Sequence, residues 1–522
     1  MKKIFHFIIL VGLTSIFTSC YKDPRTVDPA TAPVRSGTAN FTKYIAVGNS
    51  LTAGFADGGL YNAGIANSYP NLLATQFRLA GGGAFVQPLF PSTNFDGFPY
   101  RKQVGLPSSR TCFKSIPTDL GTVDGINNTP QDFSPVNPAA SCGKFAFSTT
   151  VTPLYAPPGA NPVPILLPYI GAPLNNLGVP GIRVNHLNVP RFGSNRAFGA
   201  SDIFFNPFYE RMLNASNRNA SYLEYVSAQA ADATFFTCWL GNNDVLAYAT
   251  GGAPDAAPAL NFSNDMTDLA TFTTNLTAMV DKLTENNRRG VLVTIPYVDR
   301  APFFTTIKLR LSVPSPTSSA PNAVRESGLL DMVNCGRATP INDLFIQAKS
   351  GVRAATPTDL FMLGSQANYA LIGQLNIGGA STGAATPFPY GLHPNNPLLD
   401  IHVLDVDEVA DIKTRTDQFN GVMANLVAAK PSQLALVNIN TTVVDALASP
   451  FGFSSFGITY RNTYLQGGAF SADGIHLTPA GYAVVANEII KAANTRFGSA
   501  IPLINTAGFS TVKLYTSLCQ AP

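Results

Sequence analysis

Five residues spread along this 522-residue chain have the types and neighbours that chemistry at an acyl carbonyl needs. Ser50 lies in "YIAVGNSLTAG" (44–54), where an apolar run meets a glycine and a helix-compatible stretch follows. A hydroxyl there becomes a nucleophile once a base takes its proton. The free N–H groups and partial positive charge of a helix start suit an oxyanion. His476, in "DGIHLTPAGY" (473–482), is the base candidate, and Asp473 stands three residues before it, spaced to orient the far ring nitrogen. Gly181, in "NLGVPG" (176–181), puts a backbone N–H at a turn where it can approach a substrate. Asn243, in "LGNND" (240–244), offers a neutral amide donor after a second apolar run. Each has a plainer explanation when taken alone: a Gly-Pro turn, a helix cap, an Asp and a His that order a helix entry. The other histidines are poorer bases. His6 lies in the N-terminal apolar stretch, and His186 and His393 lack an acidic neighbour with a helix-cap pattern. His402, with Asp400 nearby, ranks second.

Residues this far apart need a frame. "KYIAVG" (43–48), "ATFFTCWLG" (233–241), "GVLVTIPYV" (290–298) and "LALVNIN" (434–440) are continuous apolar runs, not alternating ones. Such runs fit strands of a parallel sheet buried on both faces. Between them lie helical patterns. Leu269, Phe272, Leu276, Met279, Val280 and Leu283 repeat at helical spacing, with Asn264 or Asp265 as cap and Gly290 as stop. Asp405 and Glu408 form a capping-box pattern ahead of Val409, Ile412, Phe419, Met423 and Leu426. Thr478 is placed as an N-cap with Pro479 at the first helical position. Strands alternating with helices predict an α/β sheet, whose working residues sit at the carboxyl ends of its strands. Residues 80–170 and 299–400, rich in Phe, Pro, Gly and Asn, break this rhythm. They read as large insertions on one α/β domain, leaving the sheet near the strands' carboxyl ends.

Composition narrows the field. The chain is 45% hydrophobic and only 12% charged, with a net charge of +3 and no basic cluster, which argues against nucleic acid as a partner. No Cys-x-x-Cys or His-Glu-x-x-His motif signals a metal. Cys238 sits in an apolar run and reads as a buried thiol. Cys112, Cys142, Cys335 and Cys519 allow three pairings; Cys112 with Cys142 closes the shortest loop, leaving Cys335 with Cys519.

Lys2 and Lys3 precede an apolar stretch, Ile4 to Phe17, too short for a spanning helix of about 20 residues. Thr18-Ser19-Cys20 then resembles the lipobox of bacterial lipoprotein signals. The resemblance implies a signal peptide over 1–19, cleavage before Cys20, lipid on its thiol and attachment to the cell envelope, with the outer membrane expected. Residues 20–40 read as a tether, reaching at most roughly 65–70 Å at about 3.3–3.6 Å per residue.

Taken in order, Ser50, Asn-x-Gly-x-x-Gly ending at Gly181, Gly-x-Asn-Asp around Asn243, and Asp473-x-x-His476 resemble the blocks of the SGNH hydrolases, the GDSL esterases and lipases. The likeness spans about residues 41–497 of a domain taken as 41–522. It implies a three-layer α/β/α fold with a flavodoxin-like parallel sheet. It also implies Ser50 as nucleophile, His476 as general base and Asp473 as its orienting acid. Ser50 N–H, Gly181 N–H and the Asn243 side chain would form the oxyanion hole, with no cofactor. Two departures stand out: Asn49 replaces the family's Asp in Gly-Asp-Ser-Leu, and Ser50 and Gly181 are 131 residues apart. The expected function is hydrolysis of acyl esters, with short acyl groups preferred. Two alternatives keep the scaffold: a non-catalytic binding lipoprotein, and an acyltransferase acting on glycans.

Overall fold

A computed structural model describes residues 33–91, 101–104, 112–115, 168–193, 206–253, 265–309, 329–330, 342–369, 371–375 and 386–511. Its frame is a parallel sheet of five strands: β1 (Tyr44–Gly48), β2 (Asn176–Gly178), β3 (Phe235–Trp239), β4 (Arg289–Val293) and β5 (Leu434–Val437). The order across the sheet is β5-β4-β3-β1-β2. The chain steps outward from β1 to β2, then returns to the other side of β1 for the rest. The winding therefore reverses between β1 and β3, and at such a reversal a crevice opens beyond the carboxyl ends of the strands.

Around the sheet lie α1 (Ser50–Ala53), α2 (Tyr69–Arg78), α3 (Tyr222–Ala230), α4 (Asn243–Thr250), α5 (Leu269–Thr284), α6 (Val406–Ala429) and α7 (Pro479–Phe497). Successive strand residues point to opposite faces, so continuous apolar runs feed two cores. Ile45, Val47, Phe236, Cys238 and Leu292 pack with α3, α4, α5 and α6. Tyr44, Ala46, Phe235, Trp239, Val291 and Val293 pack with α2 and α7. Within the first core Phe272 of α5 stacks on Phe419 of α6, with ring centroids 3.7 Å apart. Truncating either to Ala would cost about 3–5 kcal/mol.

Four strands match the expected apolar runs, each shorter than its run, and β4 begins one residue ahead of its run at Arg289. β2 was not anticipated as a strand: Asn-Leu-Gly carries one apolar residue and forms a sheet edge. The Asp405–Glu408 capping box and the Thr478 cap are present. α5 differs at both ends. Its cap is Asp268, whose side chain accepts the Thr271 N–H, rather than Asn264 or Asp265. It stops at Thr284, not Gly290, and Asn286 and Asn287, both at positive φ, turn the chain into β4.

Of the two long segments, the first also differs from expectation. Residues 83–86 start beside the amino end of the sheet, where Phe85 stacks on Tyr44. Val86 there takes the Asn175 and Asn176 N–H groups, covering the edge next to β2. Only by Phe90, bonded to Asn62, has the chain moved on along that edge. The segment after residue 299 does leave from the carboxyl side. It builds a third core from Ile307, Ile346, Phe361, Leu363 and Leu398, joined by Tyr464, Leu465 and Ala472 from the loop ahead of α7.

The chain enters at the opposite pole. Thr38 N–H bonds Phe497 O at the end of α7, Ala500 N–H bonds Arg35 O, and Arg289 at the start of β4 reaches Thr38 O. Among the described residues no helix is long and apolar enough to cross a membrane.

Candidate active site

β1 ends at Gly48, where a Cβ would lie 2.0 Å from Thr52 Oγ1 and 2.7 Å from Trp239 O, so only glycine fits against the turn that follows. Asn49 caps that turn. Its side-chain oxygen accepts the Leu51 N–H at 3.0 Å, and its backbone oxygen takes Thr52 N–H and Ala53 N–H. Among the described residues the Ser50 N–H has no acceptor. α1 is a single turn, so the group that can meet an anion here is this one N–H rather than the dipole of a long helix.

Ser50 Oγ stands 2.8 Å from His476 Nε2, although 426 residues separate them. His476 Nδ1 stands 2.8 Å from Asp473 Oδ2. The carboxylate is held by further donors. Its Oδ1 accepts the N–H groups of Ile475 and His476 at 2.8 Å each and the Ser471 hydroxyl at 3.2 Å. Its Oδ2 also accepts the Gly58 N–H at 2.8 Å. Burial alone would push this acid up. The His476 imidazole, its hydrogen bond and the backbone donors outweigh burial and hold the carboxyl below the usual range. The Phe55 ring covers the imidazole, with centroids 4.6 Å apart. The three residues thus form a continuous chain of hydrogen bonds from hydroxyl to buried carboxylate. Such a chain can take a proton from Oγ and stabilise the resulting imidazolium.

Gly181 and Asn243 come from the two strands that flank β1, since Gly48 pairs with both Gly178 of β2 and Trp239 of β3. Gly181 has φ of +77°, and a Cβ there would touch only Asn206 Nδ2, at 3.7 Å. Among the described residues its N–H has no acceptor. Asn243 Nδ2 gives one hydrogen to Ile182 O at 2.8 Å, which leaves the other for a ligand. The loop between them is pinned from beneath. Asn206 Nδ2 donates to Pro180 O at 2.8 Å, and both oxygens of Asp244 accept the Val184 N–H at 2.9 Å. Burial pushes Asp244 up to about 6 against the pull of Arg183.

Three polar groups were not singled out from the sequence. Asp244 is one. Asn242 is another: Asn49 Nδ2 donates to its Oδ1 at 2.8 Å, so the residue that departs from the family pattern is tied to the turn after β3. Asp57 is the third, and it touches the loop of Asp473. A polar residue in a Gly-rich stretch was the only signal for it.

The remaining described histidines are otherwise employed, and His6 lies outside the described residues. His186 Nδ1 accepts the Arg183 N–H, and burial followed by Arg183 pushes that ring down to about 3. His393 Nδ1 accepts the Asn395 N–H, and its ring stacks on Phe388. His402 is buried against Ser365. Phe90, Phe304 and Phe361 are packed into cores, whereas Phe95 and Phe98 lie outside the described residues. Cys238 is a free buried thiol, pushed up to about 12 by burial. Cys20 and the side chains of Cys112, Cys142, Cys335 and Cys519 lie outside the described part of the structure. Among the described residues no group of three His, Cys, Asp or Glu side chains is placed to hold a metal. Compared with family models, curated proteins and solved structures, the chain finds no match.

Proposed function

We propose that this chain is a serine ester hydrolase of the SGNH type, with Ser50 as nucleophile, His476 as general base and Asp473 as the acid that orients it. The observation that carries the reading is the unbroken pair of 2.8 Å contacts from Ser50 Oγ through His476 to Asp473. The sheet order supports the finer fold, because numbered along the chain it runs 2-1-3-4-5, as in flavodoxin-like sheets.

Ser50 Oγ attacks the acyl carbonyl while His476 Nε2 takes its proton. The carbonyl oxygen becomes an oxyanion, received by the N–H groups of Ser50 and Gly181 and the free N–H of Asn243. The tetrahedral adduct collapses, the C–O bond to the leaving alcohol breaks, and His476 returns the proton to that alcohol. Water, deprotonated by His476, then attacks the acyl-serine and releases the acid, restoring Ser50. Besides the ester, the scheme consumes only water.

We read the acyl group as short, acetyl to butyryl. Phe55 covers the imidazole and packs near Phe208, while Phe90, Phe304 and Phe361 are used up in cores. The lipobox-like Thr18-Ser19-Cys20 supports a lipid-anchored, exported enzyme.

A fluorophosphonate probe tests the reading, since only an activated serine reacts. The native chain should label and Ser50→Ala should not; an unlabelled native chain would leave a binding protein on the same scaffold. Rates on nitrophenyl esters of two to sixteen carbons test the acyl preference, and a maximum at ten carbons or more would overturn it. Acyl transfer to an added sugar in preference to water would identify an acyltransferase.

A further inference from the structure

Residues 56–59 form a tight two-residue turn. Ala56 N–H bonds Gly59 O at 3.0 Å, and Gly59 N–H bonds Ala56 O at 2.9 Å. Both central residues are left-handed, Asp57 at φ +55° and Gly58 at +80°. This is the Asp-Gly turn that closes hairpins, but here its tip is pressed into the loop that carries Asp473. Asp57 N–H donates to Ser471 Oγ at 2.9 Å, and Ala472 N–H donates to Asp57 Oδ1 at 2.9 Å. Tyr61 donates its hydroxyl to Asp57 Oδ2 at 2.7 Å. Gly58 N–H then lands on Asp473 Oδ2, the same oxygen that faces His476 Nδ1.

We propose that Asp57 is a positioning residue of this site: its carboxylate locks the turn after the nucleophile's helix onto the 471–476 loop, fixes the Gly58 N–H on Asp473, and adds a second negative charge behind His476. The inference rests on the hydrolase reading and adds a residue to it. Three observations support it. The turn belongs to the segment of Ser50, whereas its contacts lie 415 positions away, so it joins the two halves of the site directly. Both Asp57 oxygens receive donors, the arrangement of an ionised carboxylate. Aspartate accepts the left-handed φ that this turn requires, so the turn sets the Asp57 carboxylate at its tip without strain.

The titratable groups around Asp57 are Asp473, His476, Tyr61 and Tyr482. Burial pushes the Asp57 acid up, and the charges of Asp473 and His476 act on it in opposite senses. Tyr482 donates its hydroxyl to Phe55 O, and burial first, then Asp473, raises it far beyond neutral pH. Losing a negative charge behind the imidazole makes the imidazolium harder to form. Turnover should fall, and the acid limb of the pH profile should move to lower pH.

Asp57→Asn tests this, because the amide can still accept the Ala472 N–H and donate to the Tyr61 oxygen, so that only the charge is lost. We expect kcat to fall about tenfold, the lower end of what losing an outer hydrogen-bond partner costs a histidine in metal sites. KM should change little, and the acid limb should move down by about one pH unit. Tyr61→Phe, which keeps the charge, should leave the limb in place. The downfield NMR signal of the His476 Nδ1 proton gives a readout free of turnover, and its titration should move down in Asp57→Asn as well. An unchanged profile and an unchanged His476 titration in a folded Asp57→Asn protein would overturn the proposal. An inert native chain whose His476 titration still moves on this substitution would instead count against the hydrolase reading alone.

Discussion

Two serine–histidine pairs lie among the described residues, and their difference bears on what a nucleophilic serine requires. Ser50 Oγ meets His476 Nε2 at 2.8 Å, and Ser365 Oγ meets His402 Nδ1 at 3.0 Å. By distance alone they are near equals. Behind His476 stands a carboxylate bound by five donors, which can stabilise an imidazolium. Behind His402 there is only burial, which pushes the ring down and keeps it neutral; among the described residues no carboxylate reaches that ring. Its backbone oxygen is occupied by the Tyr369 hydroxyl. Ser50 also carries an unengaged N–H just past a strand end, whereas the equally buried Ser365 gives its N–H to Met362 O. On the proposed reading the first pair moves a proton, whereas the second satisfies two buried polar side chains.

Breaking the first pair should have the largest effect. Ser50→Ala and His476→Ala should each lower kcat/KM on a short nitrophenyl ester by at least about 10³-fold while the circular dichroism spectrum stays unchanged. The double variant should be little worse than either single one, because the groups act as a unit. Near-native turnover in Ser50→Ala would end the comparison.

Asp473→Asn should come next, with a loss of roughly 10³–10⁴-fold, since the amide cannot hold the imidazolium. It also carries a pH signature. A carboxyl held below its unfolded value contributes stability above that value, about 3.9, and loses it as pH falls through the lower folded value. The native chain should therefore be more stable than Asp473→Asn at neutral pH, and the gap should close only in strong acid. Urea unfolding from pH 7 to pH 2 would measure it, and a gap that closes by pH 5 would contradict the assignment.

Asn49→Asp sharpens the comparison from the nucleophile's side. A carboxylate at 49 still caps the Leu51 N–H, but it cannot donate to Asn242, so the Asn242 amide must rotate to donate instead. We expect a rate change below about tenfold, or 1.4 kcal/mol of barrier. A gain of several hundredfold would mean that Asn49 restrains the native site.

The smallest effect on activity is expected at the second pair. Ser365→Ala should leave kcat/KM within about twofold and lower stability by about 1–3 kcal/mol, because the His402 ring loses its buried partner. Thermal unfolding and ester kinetics on one preparation would show both, and a large loss of activity in a folded protein would make the two pairs equivalents.

The sequence made the frame and the triad legible for a shared reason. β1, β3, β4 and β5 are buried on both faces and so leave continuous apolar runs, and Ser50 and Asn243 follow the first two of these directly. His476 was legible through Asp473 and the Thr478-Pro479 helix start. β2 was not, because an edge strand of three residues leaves no periodic signal. Asp57 was not, because Ser471 and Ala472, its partners at the site, lie more than 400 residues away and its own neighbourhood reads as an ordinary Gly-rich turn. The displaced ends of α5 have a similar origin: several residues could cap it, and packing chose among them.

The clamp of residues 35–38 on the far end of α7 bears on where this protein can work. α7 starts three residues after His476 and runs for 19 residues, roughly 28 Å at about 1.5 Å per residue, before meeting that clamp. With attachment at Cys20, the tether would join the described fold at the pole behind the sheet, opposite the serine. An ester in the anchoring bilayer would then be reached only with the tether drawn out past the length of α7, roughly 28 Å at about 1.5 Å per residue. Soluble esters, or acyl groups on a polymer beyond the membrane, would meet the open side first.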